Sequence, residues 1–158
     1  MKINKSLIIK TAMVLFLSVY LILLYTSDSA KNVPMDEISA EMVADTSISV
    51  LKKRGRTDLR RYYQVDEASV DGYLFYKAES PMSVDEIFIV KALNKTQAAT
   101  LLENAQSHLD AQKKIFEGYG TDQMALLNSA VVEKKGNYVY YICGSNASEL
   151  RSSFLSLI

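Results

Sequence analysis

The fold is decided by residues 85–113, which read DEIFIVKALNKTQAATLLENAQSHLDAQK. The stretch begins with a short apolar run rich in β-branched and aromatic residues, which predicts a strand, and it continues with a helical pattern. In the strand, Phe88 and Val90 lie on one face and Ile89 lies on the other. Because both faces are apolar, we expect this strand to be central in its sheet.

The second half of the stretch predicts a helix from about Thr96 to Glu117. Its apolar positions recur at steps of three and four, which places them on one stripe. The residues of the stripe are Ala98, Leu102, Ala105, Leu109, Gln112 and Phe116. Asn94 or Thr96 can cap the start of the helix, and Gly118 can end it. We therefore expect the stripe to pack against the sheet, with Phe116 in the core.

Weaker signals flank this strand and helix. Residues 34–45 predict a first helix, and residues 72–78 predict a strand that forms a hairpin with the central one. Residues 130–134 and 137–143 predict a second hairpin, and a last helix follows Asn146. The expected fold class is α+β, with an antiparallel sheet of about four strands packed by helices in the order α-β-β-α-β-β-α.

The N-terminal segment predicts a membrane anchor. Residues 11–27 contain no charged residue, and with residues 6–10 they approach the ~20 residues that cross a bilayer. Lys2, Lys5 and Lys10 precede the first acidic residue, which favours a cytoplasmic N-terminus and an external domain. The expected location is a single-pass protein of the cell membrane. A cleaved signal peptide is the alternative.

The chain then divides into three parts. Residues 1–27 hold the cytoplasmic lysines and the transmembrane anchor or signal segment. Residues 28–33 form a short polar linker, and residues 34–158 form the extracytoplasmic α+β domain.

Composition excludes several classes of site. Cys143 is the single cysteine and His108 the single histidine, so the chain cannot form an internal disulfide or the usual structural zinc set. The sequence has no GxSxG, Walker or dinucleotide-binding motif. We therefore assign no catalytic, cofactor-binding or metal-binding residue. His108, beside the apolar stripe, is predicted to be a surface or boundary residue, and Cys143 a small buried hydrophobe.

A basic segment precedes the first hairpin. Residues 51–63 read LKKRGRTDLRRYY and hold six cations against one acid, Asp58. The cations are Lys52, Lys53, Arg54, Arg56, Arg60 and Arg61. They could contact anionic lipid headgroups or wall polymers. The alternative is a solvated loop and short helix. An external location argues against a nucleic-acid partner.

Tyrosines are concentrated on the last predicted strand. Tyr138 and Tyr140 fall on one face of it, where they could form an exposed surface for a peptide, glycan or protein partner. The alternative is structural, because tyrosine is a good strand residue.

The sequence resembles a known bacterial family, named domain of unknown function 4358. The likeness covers roughly residues 33–154 and lies in the runs DEIFIVKA, AQKKIFEGY and KKGNYVYYI, followed by a terminal helix with Phe154. The positions that carry it are Glu86, Lys91, Gln112, Lys113, Phe116, Tyr119, Gly136, Asn137 and Tyr138. The resemblance implies a lipoprotein signal or membrane anchor before a small α+β domain, and it implies no activity. This chain departs from the family in lacking a lipobox cysteine.

These observations together predict a membrane-anchored, extracytoplasmic binding or interaction module of the bacterial cell envelope that is not an enzyme. Its partner is an unknown protein, or an anionic lipid or wall polymer. A small hydrolase-like envelope enzyme and a structural subunit of a membrane complex are the alternatives. A deep pocket with convergent polar groups would favour the enzyme, and a flat tyrosine-bearing face would favour the other two.

Overall fold

The structure, a computed structural model, describes residues 5–27 and 29–158. Within these residues a five-stranded sheet lies between two layers of helices. The elements in chain order are α1 Lys5–Ser27, α2 Met35–Val43, α3 Thr46–Ser49, β1 Lys52–Lys53, α4 Arg56–Tyr63, a 3₁₀ turn Glu67–Ser69, β2 Gly72–Lys77, β3 Glu86–Lys91, α5 Lys95–Phe116, α6 Thr121–Asn128, β4 Val131–Lys135, β5 Tyr138–Cys143 and α7 Ala147–Leu157.

The sheet is antiparallel throughout, with the strand order β1-β2-β3-β5-β4. Strand β3 occupies the centre, and all six of its residues are buried. In the register, Phe88 pairs with Phe75 of β2 and with Tyr141 of β5. The prediction of a central strand that is apolar on both faces is confirmed.

Each face of the sheet has its own helical layer and its own core. Helices α4, α5 and α6 cover the face that carries Phe88, and helices α2, α3 and α7 cover the face that carries Ile89. Helix α5 buries Ala98, Leu101, Ala105, His108, Leu109 and Phe116. Four residues of the predicted stripe are therefore buried, with Phe116 in the core as expected. The other two, Leu102 and Gln112, are only partly buried, and Leu101 and His108 are buried although the stripe did not include them.

The ends of α5 follow from local chemistry. The Asn94 side chain accepts a hydrogen bond of 2.9 Å from the Gln97 backbone N–H and so caps the first turn. At the other end Gly118 has φ +88°, in the left-handed region that glycine adopts cheaply. Both end signals in the sequence are confirmed.

The α+β class is correct, but the predicted count of four strands is wrong. The fifth strand, β1, consists of Lys52 and Lys53, which pair with Lys77 and Tyr76 of β2. Two lysines carry no apolar alternation, and lysine is common on edge strands, so only pairing with β2 reveals this strand. The chain also inserts helices α3, α4 and α6 into the predicted order.

The prediction of a transmembrane helix is also wrong. Among the described residues no helix is long and apolar enough to cross a membrane. Helix α1 spans Lys5–Ser27. Lys2 and Asp28, which framed the predicted anchor, lie outside the described residues.

Replacement of Phe116 by alanine tests the packing of α5. Phe116 is only 2% exposed, so Phe116→Ala should lower the free energy of unfolding by ~3–5 kcal/mol through lost burial and the cavity left behind. The adjacent Ile115 is 53% exposed, so Ile115→Ala is the matched control and should change little. Urea unfolding midpoints measure both, and equal midpoints for the two variants would contradict the packing described here.

Candidate functional site

A cluster of charged and hydroxyl side chains is buried on the side of the sheet that α4 and α5 cover. At its centre lies Glu86, the first residue of β3, which pairs across the sheet with Lys77 of β2. The Lys77 ammonium donates to Glu86 Oε2. Tyr63 of α4 donates its hydroxyl proton to Glu86 Oε1 at 2.6 Å. His108 Nε2 of α5 lies 3.1 Å from Oε1 and 3.2 Å from Oε2 of the same carboxylate.

The cluster holds the Glu86 carboxylate ionised inside the core. Glu86 is 1% exposed, and this burial alone would raise its pKa. The hydrogen bond and charge of His108 and the ammonium of Lys77 outweigh the burial, so the pKa of Glu86 lies below its usual range. Burial and the neighbouring Glu86 charge raise the pKa of Tyr63 well above its ordinary value, so its hydroxyl remains a donor.

The thiol beside this cluster is buried, which favours its protonated form. Cys143 is the cross-strand partner of Glu86, and burial raises the pKa of its thiol to about 12. A thiol that stays protonated cannot attack a substrate or bind a metal as thiolate. The Tyr141 hydroxyl is buried without a conventional hydrogen-bond partner in the described part of the chain, with only the weakly polar Cys143 thiol beside it. The prediction that Cys143 is a small buried hydrophobe is confirmed.

Aromatic rings close the cluster from solvent. The rings of Tyr62 and Tyr63 lie 5.5 and 4.8 Å from the His108 ring, and the Tyr63 ring stacks on Phe88. The predicted surface position of His108 is therefore wrong, because α5 turns this residue toward the sheet, where Glu86 supplies its partner. A carboxylate directly before the apolar run of β3 was the signal that could have revealed the cluster.

The basic segment lies at the edge strand β1 and on α4. Lys52 pairs with Glu79 at 2.7 Å, and Arg60 pairs with Asp66 at 2.5 Å. Arg54 is half-buried, 3.8 Å from Asp58, and its Nη2 donates to the Ala78 carbonyl at 2.9 Å. Arg54, one of the six predicted contact residues, therefore holds neighbouring parts of the domain together. The other five, Lys52, Lys53, Arg56, Arg60 and Arg61, are exposed.

The two tyrosines predicted as a partner face are buried. Tyr138 and Tyr140 are each 1% exposed, and their rings lie 6.0 and 5.0 Å from the Phe154 ring of α7. The Tyr138 hydroxyl accepts from the Val33 backbone N–H at 2.8 Å and donates to the Val33 carbonyl at 2.6 Å. The prediction that these tyrosines form an exposed surface is therefore wrong, because α7 and the linker cover this face of β5.

An open groove lies at the opposite end of β3 from Glu86. We call it the Lys91 groove and define it by Lys31, Asp71, Lys91, Lys95, Asn137 and Tyr138, with a volume of about 460 Å³. Lys91 ends β3, and its ammonium lies 2.8 Å from Asp71 Oδ2 and 5.8 Å from the centre of the Tyr138 ring. The sequence did not single out this groove, because its residues come from four separate segments.

The sequence matches, over residues 43–144, the family described as a domain of unknown function, DUF4358. This stretch is more than half of the chain. The chain belongs to the DUF4358 family. The resemblance predicted from sequence is thereby confirmed. No curated protein and no solved structure matches the chain.

The positions that carried the resemblance occupy distinct places in this DUF4358 domain. Glu86 is the centre of the buried cluster, and Phe116 is in the core under α5. Lys91, Gly136, Asn137 and Tyr138 meet at the Lys91 groove. The similarity therefore covers both a buried structural cluster and an open polar groove.

Replacement of Glu86 by glutamine tests the structural role of the buried cluster in the DUF4358 domain. Glu86→Gln leaves the Lys77 ammonium buried without its carboxylate, and breaking a buried pair in this way typically costs ~3–5 kcal/mol of stability. The matched control is Glu79→Gln, which breaks the exposed pair with Lys52 and should leave the unfolding midpoint nearly unchanged. If both variants unfold at the wild-type midpoint, the cluster does not stabilise the fold.

The stability of the wild type and that of Glu86→Gln should depend differently on pH. The pKa of Glu86 is lower in the folded chain than in the unfolded chain, so its carboxylate stabilises the fold above the unfolded value of about 4.3. That contribution is lost as the pH falls through the lower folded-state pKa. Acidification should therefore destabilise the wild type more than Glu86→Gln, as measured by unfolding midpoints from neutral to acid pH. Parallel pH profiles would contradict the assignment.

Proposed function

We propose that this DUF4358 domain is a non-enzymatic binding module that contacts an anionic, phosphate-bearing surface through the exposed arginines of α4. One observation carries the proposal. Leu59 and Tyr63 fix α4 in the core, while Arg56, Arg60 and Arg61 line one open groove of about 540 Å³ on its outer side. The short helix therefore presents its charges from a rigid support.

The charge balance on α4 supports the proposal. Arg60 is paired with Asp66, whereas Arg56 and Arg61 lie within 4 Å of no carboxylate among the described residues, and Arg56 acts on Asp66 only at longer range. The guanidinium carbon of Arg61 lies 5.4 Å from the centre of the Tyr62 ring, a contact that orients the side chain and leaves its charge in place. Two guanidinium groups thus remain available to an external anion.

The chemistry of arginine favours phosphate or carboxylate as the contacted group. Its planar fork donates two parallel hydrogen bonds to such an anion. Each cation held near an anionic membrane surface contributes about 1 kcal/mol of attraction. An anionic lipid headgroup or an anionic wall polymer offers such groups at high density. Burial of His108 supports a binding role over a hydrolase, because this side chain is not open to a substrate.

An extracytoplasmic location in the cell envelope is part of the proposal. It rests on Lys2, Lys5 and Lys10, which precede the uncharged residues 11–27. Protease added to cells with a permeabilised wall should digest the domain and spare a cytoplasmic marker. Survival of the domain while an external marker is cut would contradict the location.

The binding proposal is tested with the full chain and vesicles of phosphatidylcholine, with and without phosphatidylglycerol. Wild type should sediment with the anionic vesicles at low salt and release as the salt concentration rises, because salt screens exposed charges. The double variant Arg56→Gln and Arg61→Gln should bind about thirtyfold more weakly, which is ~1 kcal/mol for each cation.

The matched control is Lys114→Gln, which removes an exposed cation of α5 outside the α4 groove and should bind as wild type does. Equal binding of the double variant and the wild type would contradict the proposal. Binding that does not depend on phosphatidylglycerol would contradict it as well.

A further inference from the structure

We propose that Asp66 competes with the anion that α4 binds and thereby sets how densely charged a surface must be before the domain binds it. The inference rests on the function proposed above, because it concerns the same arginines of α4. Arg60 Nη2 donates to Asp66 Oδ2 at 2.5 Å, so the carboxylate occupies the place that an external phosphate oxygen would take. Asp66 is thus an anion of the chain itself at the surface that faces external anions.

The backbone after α4 brings Asp66 to the arginine. Helix α4 ends at Tyr63, and Gln64 has φ +55°, in the left-handed region that ends helices and turns the chain. Val65, the next residue, is only 3% exposed and fixes the returning segment in the core. Asp66 therefore lies beside the last turn of α4 and contacts Arg60, six positions earlier in sequence.

The two oxygens of the Asp66 carboxylate have separate roles. Oδ1 accepts from the Ala68 backbone N–H at 3.1 Å and caps the 3₁₀ turn, whereas Oδ2 accepts from Arg60. The Ala68 N–H and, after it, the Arg60 guanidinium lower the pKa of Asp66, so the carboxylate is ionised at neutral pH. A cap needs an acceptor oxygen and no charge. The turn therefore depends on the oxygen of this residue, and the negative charge acts on α4.

The ion pair between Arg60 and Asp66 can exchange with an external anion. The two side chains are 58% and 47% exposed, and ion pairs in such positions contribute little to stability. The pair of Lys77 with Glu86, by contrast, is enclosed in the core. A phosphate group can therefore replace the carboxylate on Arg60 without any opening of the fold.

A carboxylate that the chain itself supplies favours dense anionic surfaces over single anions. A single anion at Arg60 must displace a group that the backbone holds beside the guanidinium at a high effective concentration. A surface with many phosphates also attracts Arg56 and Arg61, and this attraction offsets the lost contact with Asp66. The field of Asp66 reaches Arg56 as well, so its effect extends beyond its direct partner. Asp66 thus supplies the repulsive element on which discrimination between partners depends.

The test replaces Asp66 by asparagine, which keeps an acceptor oxygen for the Ala68 N–H and removes the charge. The full chain is sedimented at constant low salt with vesicles in which phosphatidylglycerol replaces phosphatidylcholine in steps. Asp66→Asn should bind about fivefold more tightly than wild type, as expected for one more unopposed cation near the surface. Its half-saturation should also shift to a lower phosphatidylglycerol fraction.

Glu117→Gln is the control for net charge. It removes one exposed carboxylate, as Asp66→Asn does, from a residue that does not line the α4 groove. This variant should bind nearly as wild type does. Equal gains in affinity for the two variants would show an effect of net charge alone and would overturn the inference.

A second comparison determines whether Asp66 acts through Arg60. Arg60→Gln should weaken vesicle binding only slightly in the wild-type chain, where Asp66 already opposes that cation. In the Asp66→Asn chain the same change should weaken binding about fivefold, because the guanidinium there has no charged partner to oppose it. Equal losses in the two chains would also overturn the inference.

Failure of this inference differs from failure of the proposed function. If wild type binds the anionic vesicles and Asp66→Asn binds them no more tightly, Asp66 does not compete with the external anion, and the α4 surface stands. If neither wild type nor any variant binds, the α4 surface is itself wrong, and the inference about Asp66 is overturned with it.

Discussion

The buried carboxylate of Glu86 ties the central strand to three other elements of this domain. An ionised carboxylate in a protein interior is stable only when partners replace its lost water. Here the partners come from three other elements: Lys77 of β2, Tyr63 of α4 and His108 of α5. One side chain therefore fixes where α4 and α5 lie on the sheet. It also fixes the strand register, because a slip of one residue would move Lys77 to the opposite face.

The central strand carries a buried charge at each end. The two ends differ in the number of polar partners that surround that charge. Glu86 has three donors around it and is closed by aromatic rings. Lys91, at the other end, has one half-exposed aspartate and a tyrosine face beside an open groove. Between them lie apolar residues that pack into both cores. The Glu86 end is therefore closed inside the core, whereas the Lys91 end borders an open groove.

Features that depend on residues close together in sequence could be predicted, and features that depend on contacts between distant residues could not. Strand β3 and helix α5 have strong periodicity and local end signals, so their positions follow from neighbours in sequence. His108 lies one helical turn from Ala105 on the same stripe, but its role depends on Glu86, more than twenty positions earlier, and no periodicity reports that pairing. Strand β1 consists of two lysines whose only strand signal is hydrogen bonding to β2. The Lys91 groove needs the fold itself, since it joins the linker, two strand ends and a helix start.

The tyrosines show why an aromatic strand face is ambiguous in sequence. A tyrosine can cover apolar surface with its ring and still require a partner for its hydroxyl. In β5 that requirement ties separate parts of the chain to the sheet: Tyr138 holds the linker at Val33, and Tyr140 donates to Glu133, which Arg151 of α7 also binds at 2.8 Å. The same residues would suit an exposed recognition face if α7 were absent. Because α7 lies beyond the matched residues 43–144, the stretch shared with the family contains the tyrosines but not the helix that covers them. The burial of this face is therefore set by the C-terminal helix together with the linker, which the Tyr138 hydroxyl holds at Val33.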